Sequence, residues 1–191
     1  KTLQPIVERG EIAGVITWVG DRQQTLDIST AGFASLETKA NLSTDTLFWI
    51  ASMSKPITGV CVMMLVDEGK IALDDSIAKY LPEMAHLATE DGVKHEVTIR
   101  QLMNHTSGMR EIPPPNTYSP KTLEEAALEY AKLPLYFVPG TRWQYSQTSI
   151  NTAARIVEVV SGQTFDVFAS ERLFQPLGMK DTAFYLTAEQ Q

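Results

Sequence analysis

The tetrapeptide Ser52-Met53-Ser54-Lys55 places a hydroxyl and an amine three residues apart. On a helix that spacing puts both side chains on one face. An amine held neutral can then accept the hydroxyl proton. Burial lowers a lysine pKa because desolvation penalises the cation, and the apolar run Val60–Val66 on the same helix would supply it. A helix starting at Ser52 would also present free N–H groups and a positive dipole end to a developing oxyanion. Together these features suit nucleophilic acyl transfer. The pattern is short enough to recur by chance, and Ser52 alone reads equally well as a plain helix cap. A second copy, Ser76-Ile77-Ala78-Lys79, follows Asp74-Asp75 and precedes Pro82. There the lysine is expected to be a solvated cation and the serine inert.

Trp143-Gln144-Tyr145-Ser146-Gln147 supplies a second candidate group on a loop after Pro139-Gly140. A nearby ammonium favours phenolate, so Tyr145 beside Lys55 would have a lowered pKa. It could then act as general base toward a serine. The plainer alternative is a packed tyrosine with a bonded hydroxyl. Trp143 is weighed as packing or as a substrate contact. No G-x-S-x-G elbow, H-E-x-x-H, C-x-x-C, phosphate-binding loop or dinucleotide glycine pattern occurs. His86 and His95 read as surface residues. His105, in Asn104-His105-Thr106-Ser107-Gly108, reads as part of a turn ending a helix rather than as a base. In that turn the Thr106 and Ser107 hydroxyls satisfy backbone groups and Gly108 reverses the chain.

The elements that must carry these groups follow from periodicity and punctuation. Leu3–Arg9 reads as an amphipathic helix, and Ala13–Val19 with Leu26–Phe33 as a hairpin joined by Gly20–Gln24. Thr46–Ile50 reads as a short extended piece. A helix from about Ser52 to Glu68 ends at Gly69 and, being apolar all round, is expected inside the molecule. Pro56 falls in its first turn. Further helices are expected over Thr98–Asn104, from Thr122 with Glu125 completing a capping box, over Asn151–Ser161 up to Gly162, and from Thr164 to about Phe174. Pro113-Pro114-Pro115 forms a stiff loop, and Ala183–Leu186 begins a strand. The class is α+β: an antiparallel sheet flanked by helices plus a helical subdomain. Residues 1–70 and 164–191 would form the α/β part, and residues 71–163 the helical part.

Composition narrows the roles. The 191 residues carry 16 Lys and Arg against 23 Asp and Glu, a net charge of −7, and no basic stripe for nucleic-acid phosphates. No apolar run approaches the ~20 residues of a membrane span. The single cysteine, Cys61, precludes an internal disulfide and reads as a small buried hydrophobe. A start at Lys1 without a leader points to processing or trimming.

Ser52-Met53-Ser54-Lys55, then Gln101-Leu102-Met103-Asn104-His105-Thr106-Ser107-Gly108, then Tyr145-Ser146-Gln147, in that order, resemble the serine β-lactamase and penicillin-binding-protein-like superfamily, in its class C β-lactamase and family VIII esterase branch. Thr46–Ala51, Leu73-Asp74-Asp75, Tyr80-Leu81-Pro82 and Val157–Gly162 extend the likeness over nearly the whole chain. The resemblance implies a serine nucleophile at Ser52 that forms an acyl-enzyme. Lys55 and Tyr145 would activate it and protonate the leaving group, and the Ser52 N–H would form half of an oxyanion hole. Gln147 would orient Lys55 or a substrate carbonyl, and Trp143, by its place beside Tyr145, is a candidate substrate contact. No metal or organic cofactor is implied. The segment around His105 would wall the site without taking part in the chemistry.

Two departures stand out. Position 147 is Gln where the family has Asn in Tyr-x-Asn, one methylene longer, so its grip on Lys55 or a substrate carbonyl is expected to be looser. No Lys-Thr-Gly or His-x-Gly motif is found in the 191 residues, so the sheet is expected to be incomplete and the hairpin to show an open edge. The expected function is hydrolysis of an ester, amide or β-lactam, with an ester favoured. The alternatives are a catalytically silent binding or structural protein on the same scaffold, or the N-terminal fragment of a two-chain enzyme whose C-terminal fragment acts in trans. The resemblance alone places it in the periplasm or outside a bacterial cell.

Overall fold

Two β-rich runs joined by a polar, aspartate-bearing turn shape the first fifty residues. In the computed structural model, which describes residues 3–112 and 120–187, the chain divides into two compact units, Lys1–Trp49 and Ile50–Glu189. In the first, the short helix α1 (Gln4–Glu8) precedes β1 (Gly14–Gly20) and β2 (Thr25–Gly32). The strands pair antiparallel, with Gly14 opposite Gly32 and Trp18 opposite Ile28. Asp21 Oδ1 accepts the N–H groups of Gln23 and Gln24 at 2.7 and 2.9 Å, which closes the turn. Among the described residues this hairpin is the whole sheet, and Trp18, Leu26 and Ile28 are exposed on it. The α+β class and the incomplete sheet are both present.

Two expected extended pieces are not strands. Residues 46–50 are irregular, with Thr46 Oγ1 accepting the Ser43 N–H at 3.0 Å. Residues 183–186 are also irregular, and Phe184 packs on Phe165 and Phe174 at ring separations of 5.3 and 6.3 Å. A β-prone run becomes a strand only where a neighbour takes its ladder hydrogen bonds. Among the described residues neither run has one. The triple proline at 113–115 lies outside the described residues.

The second unit is helical. A 3₁₀ turn (Ala51–Met53) leads into α2 (Ser54–Asp67), followed by 3₁₀ turns at Ile77–Lys79 and Pro82–His86. Then come α3 (Ile99–Met103), α4 (Leu123–Tyr130), α5 (Gln147–Ser161), α6 (Phe165–Ala169) and a π turn (Ser170–Phe174). Its core joins Cys61, Val62 and Leu65 of α2 to Ile99 and Leu102 of α3, Ile156 and Val157 of α5, and Phe168 of α6. Gly69, with φ of +68°, ends α2: its own N–H reaches Val66 O and the Lys70 N–H reaches Leu65 O.

Three local expectations change. α2 is buried on one face only, because its packing partners, chiefly α5, cover that face; Val60 and Met63 on the other side are exposed. α5 begins at Gln147, four residues early, because Ser146 caps it by accepting the Ser149 N–H at 3.0 Å. At α4, Thr122 Oγ1 accepts the Glu125 N–H at 3.1 Å, but the Glu125 carboxylate turns to the Lys121 N–H, so only half of the box forms. The complete box is at α3, where Thr98 and Gln101 cap each other.

Candidate active site

The Ser52 turn is held by the Ser54 hydroxyl, which donates to Ala51 O at 2.8 Å. Ala51 has φ of +45°. A residue with a Cβ adopts that left-handed conformation at a cost of ~1–2 kcal/mol, and such strain gathers at functional sites. Ser52 itself is exposed, and Lys55 follows one turn later on α2. The expected deep burial of Lys55 does not occur. Its neighbours on that side are polar, and the side chain is half-buried.

Lys55 Nζ donates to Ser52 Oγ at 3.2 Å and to Gln147 Oε1 at 2.5 Å. The Tyr145 hydroxyl donates to Ser52 Oγ at 2.7 Å, and Lys55 Nζ lies 4.8 Å from the centre of the Tyr145 ring. The two loci, ninety-three residues apart in sequence, therefore converge on one hydroxyl oxygen. Lys55 holds the Tyr145 phenol below its ordinary pKa, and the Ser52 hydrogen bond adds to this. Of the five expected site residues, Ser52, Lys55, Tyr145 and Gln147 form one connected group. Trp143 stands apart: 66% exposed, it meets the edge of the His105 ring at 6.0 Å.

The second Ser-x-x-Lys is not a site. Ser76 lies extended before its 3₁₀ turn, bridged to Thr98, while Lys79 pairs with Asp75 at 3.0 Å. Asp75 also accepts the Tyr80 hydroxyl and the Ala72 N–H, and these contacts hold its carboxyl at about 2. Cys61 is fully buried, which pushes its thiol up to about 11.

Three residues that the sequence reading did not single out complete the site. Gln147 Nε2 donates to Asn151 Oδ1 at 2.8 Å, and Asn151 Nδ2 donates to the Tyr130 hydroxyl at 2.9 Å. A lysine amine donating toward Gln147 requires the amide to present its carbonyl, and this fixes the direction of the whole relay. Glu111 Oε1 accepts the N–H groups of Gln147 and Thr148 at 2.6 and 3.2 Å, and Oε2 accepts the Thr148 hydroxyl at 3.0 Å. A carboxylate thus sits on the positive end of α5. The Gln147–Asn151 spacing of four was a readable clue, hidden because the helix was expected to start at 151. Glu111 carried no sequence signal. Beside Lys55 and Gln147 lies a cavity of about 760 Å³, lined by Glu111, Tyr130, Asn151 and Phe165 among others.

The 104–109 turn backs this group. Gly108, with φ of +75°, needs to be glycine twice over, since a Cβ there would stand 2.4 Å from Phe137 O. The buried hydroxyls of Ser107 and Ser149 meet at 2.7 Å and tie the turn to α5. Ser107 Oγ also accepts the Met109 N–H, as the turn reading requires, but the Thr106 hydroxyl donates to the Asn104 side chain instead of to backbone. His86 is exposed, whereas His95 is half-buried with Nε2 3.1 Å from the Thr89 hydroxyl.

Comparison with known proteins shows the family. Residues 1–191 match the Beta-lactamase family along their whole length, and the chain belongs to that family. Esterase EstB of Burkholderia gladioli is 32% identical over 95% of this chain and 49% of its own length. An uncharacterized protein of Mycobacterium tuberculosis is 32% identical over all of this chain and 52% of its own. The solved structure of EstCE1, a hydrolase with promiscuous acyltransferase activity, superposes with a TM-score of 0.89 at 28% identity, over 97% of this chain and 52% of that one. The chain spans about half the length of the curated relatives it matches. Among the described residues, no helix is long and apolar enough to cross a membrane.

Proposed function

We propose that the protein is a serine hydrolase that forms an acyl-enzyme on Ser52, with carboxylic esters as its preferred substrates. The observation that carries this is the convergence of the Tyr145 hydroxyl and Lys55 Nζ on Ser52 Oγ, at 2.7 and 3.2 Å. Ser52 Oγ attacks the ester carbonyl carbon. Its proton passes to the Tyr145 phenolate, whose formation the Lys55 ammonium favours. As the tetrahedral intermediate collapses, the same proton moves to the departing alkoxide. Water then attacks the acyl carbon, and the proton path runs in reverse to release the acid and restore Ser52. The Ser52 N–H serves as one oxyanion donor, an interaction that in such sites contributes ~3–4 kcal/mol. The second donor and the group that grips a substrate carboxylate would come from further polypeptide, in the same chain or in trans. The ester preference is supported by the named activity of EstB.

A fluorophosphonate or p-nitrophenyl acetate should label Ser52 and nothing else, as mapped by peptide mass spectrometry, and Ser52→Ala should abolish labelling. A folded protein in which Ser52 stays unmodified would sink the proposal.

A further inference from the structure

His105 has no place in the proton path above, yet four contacts join it to the segment that carries Tyr145. Its carbonyl oxygen accepts the Gln144 N–H at 2.9 Å, and its ring Nδ1 accepts the Ser146 N–H at 3.3 Å. Its ring lies against the Tyr145 ring, centroids 4.9 Å apart and tilted by 37°, and meets the Trp143 ring edge-on. One residue thus receives the backbone N–H groups on both sides of Tyr145 and covers a face of the phenol between them. His105 reaches this position with φ of +62°. Outside glycine that conformation is uncommon, and histidine is among the residues that adopt it more readily. The turn that carries it is anchored from behind, through Ser107 to Ser149 and through Thr106 O to the Gly140 N–H at 2.8 Å.

Nδ1 can accept the Ser146 N–H only while it carries no proton, so the ring is neutral with its hydrogen on Nε2. Partial burial and the charge of Lys55 favour that neutral form. We propose that His105 is a positioning residue for Tyr145: its unprotonated Nδ1 and its ring hold the phenol on Ser52 Oγ. This rests on the reading that Tyr145 serves Ser52. A displacement of about 1 Å at such a contact can cost on the order of 10²-fold in rate.

Two substitutions separate the contributions. His105→Gly removes both acceptor and ring while relieving the left-handed backbone. His105→Asn keeps an acceptor oxygen near the place of Nδ1 and tolerates the same φ. With p-nitrophenyl acetate, the glycine variant should acylate Ser52 about 10²-fold more slowly at a KM within about twofold. The asparagine variant should recover at least about tenfold of that loss. Acylation by a folded glycine variant within about twofold of wild type would overturn the proposal. So would an asparagine variant no better than the glycine one.

Two readouts do not depend on turnover. The ¹³Cζ signal of Tyr145, assigned with Tyr145→Phe, should titrate at higher pH in the glycine variant and move back in the asparagine variant. An unchanged midpoint would count against the role. If wild type fails to acylate at all, the acyl-enzyme reading falls and this titration alone decides the positioning role. If the glycine variant does not fold, the ¹⁵N shifts of the wild-type imidazole decide it: a bare Nδ1 supports the clamp, and a protonated Nδ1 at neutral pH overturns it.

Discussion

Glu111→Ala tests whether the N-terminus of α5 is held by a single carboxylate. The change removes the acceptor of the first two N–H groups of α5, those of Gln147 and Thr148, and of the Thr148 hydroxyl. A hydrogen bond to a charged acceptor contributes ~1.5–3 kcal/mol. Of these groups only that of Gln147 borders the cavity, where water replaces part of what is lost, whereas Thr148 is buried, so the net cost is at least that of one such bond, about 2 kcal/mol. For a chain of this size ~1 kcal/mol corresponds to ~2–4 °C, so the melting temperature should fall by about 4–8 °C. Glu111→Gln keeps an oxygen for both N–H groups, loses the charge facing the helix dipole, ~0.3–1 kcal/mol, and turns an amide NH2 to the Thr148 hydroxyl, which must then accept instead of donate. Its fall should therefore be about 1–4 °C. Calorimetric melting of the three proteins at low ionic strength measures the ladder, and added salt should narrow the gap between wild type and the glutamine variant. Because Gln147 carries both the clamped N–H and the carbonyl that meets Lys55, Ser52 labelling should slow in the same order. An alanine variant that melts within about 1 °C of wild type would refute the clamp.

Tyr145→Phe should slow Ser52 acylation by about 10²–10⁴-fold while leaving the melting temperature nearly unchanged, because the half-exposed ring keeps its packing on His105. In wild type the acylation rate should rise with pH through a midpoint below that of free tyrosine, because Lys55 lowers the phenol pKa and in the proposed mechanism the deprotonated form takes the Ser52 proton. Stopped-flow pH profiles of wild type and the phenylalanine variant check both, and a basic limb shared by the two would remove Tyr145 from the role. Ala51→Gly should stabilise the protein by up to ~1 kcal/mol by relieving φ of +45°, whereas Ala51→Val should lose Ser52 labelling; equal melting of all three forms would show no strain there. Cys61, buried with its thiol raised to about 11, should resist iodoacetamide at pH 8 in the folded protein and react on denaturation, and modification of the native protein would contradict its burial.

The candidate site residues were more legible than the strands. A hydroxyl and an amine three apart share a helix face whatever surrounds them, so Ser52 and Lys55 could be paired from spacing alone. Tyr145 and Gln147 came through the ordered motifs, since no local rule joins residues about ninety apart. Thr46–Ile50 and Ala183–Leu186 have strand-like composition, but strand formation depends on a partner, and a single sequence does not say whether one is present. The α2 expectation failed for a related reason: composition measures how apolar a helix is, not how many of its faces find cover, and Val60 and Met63 remain exposed. Glu111 was invisible because its role is set by the fold of a loop onto another helix's N-terminus.

The glutamine at 147 looks from the sequence like a loosened version of an asparagine, since one more methylene adds a rotor whose ordering opposes a fixed contact. Starting α5 at Gln147 alters that expectation. Asn151 then lies one turn away on the same face, where an amide pair four apart can bond. It ties down Gln147 Nε2 while its own amide nitrogen is anchored on the Tyr130 hydroxyl. Glu111 fixes the Gln147 backbone N–H at the other end. With the side-chain nitrogen and the backbone nitrogen both held, the longer side chain has one remaining polar atom, Oε1, and that atom faces Lys55. The added length is thus restrained by the helix cap and the next turn, and the substitution alters how Lys55 is held without releasing it.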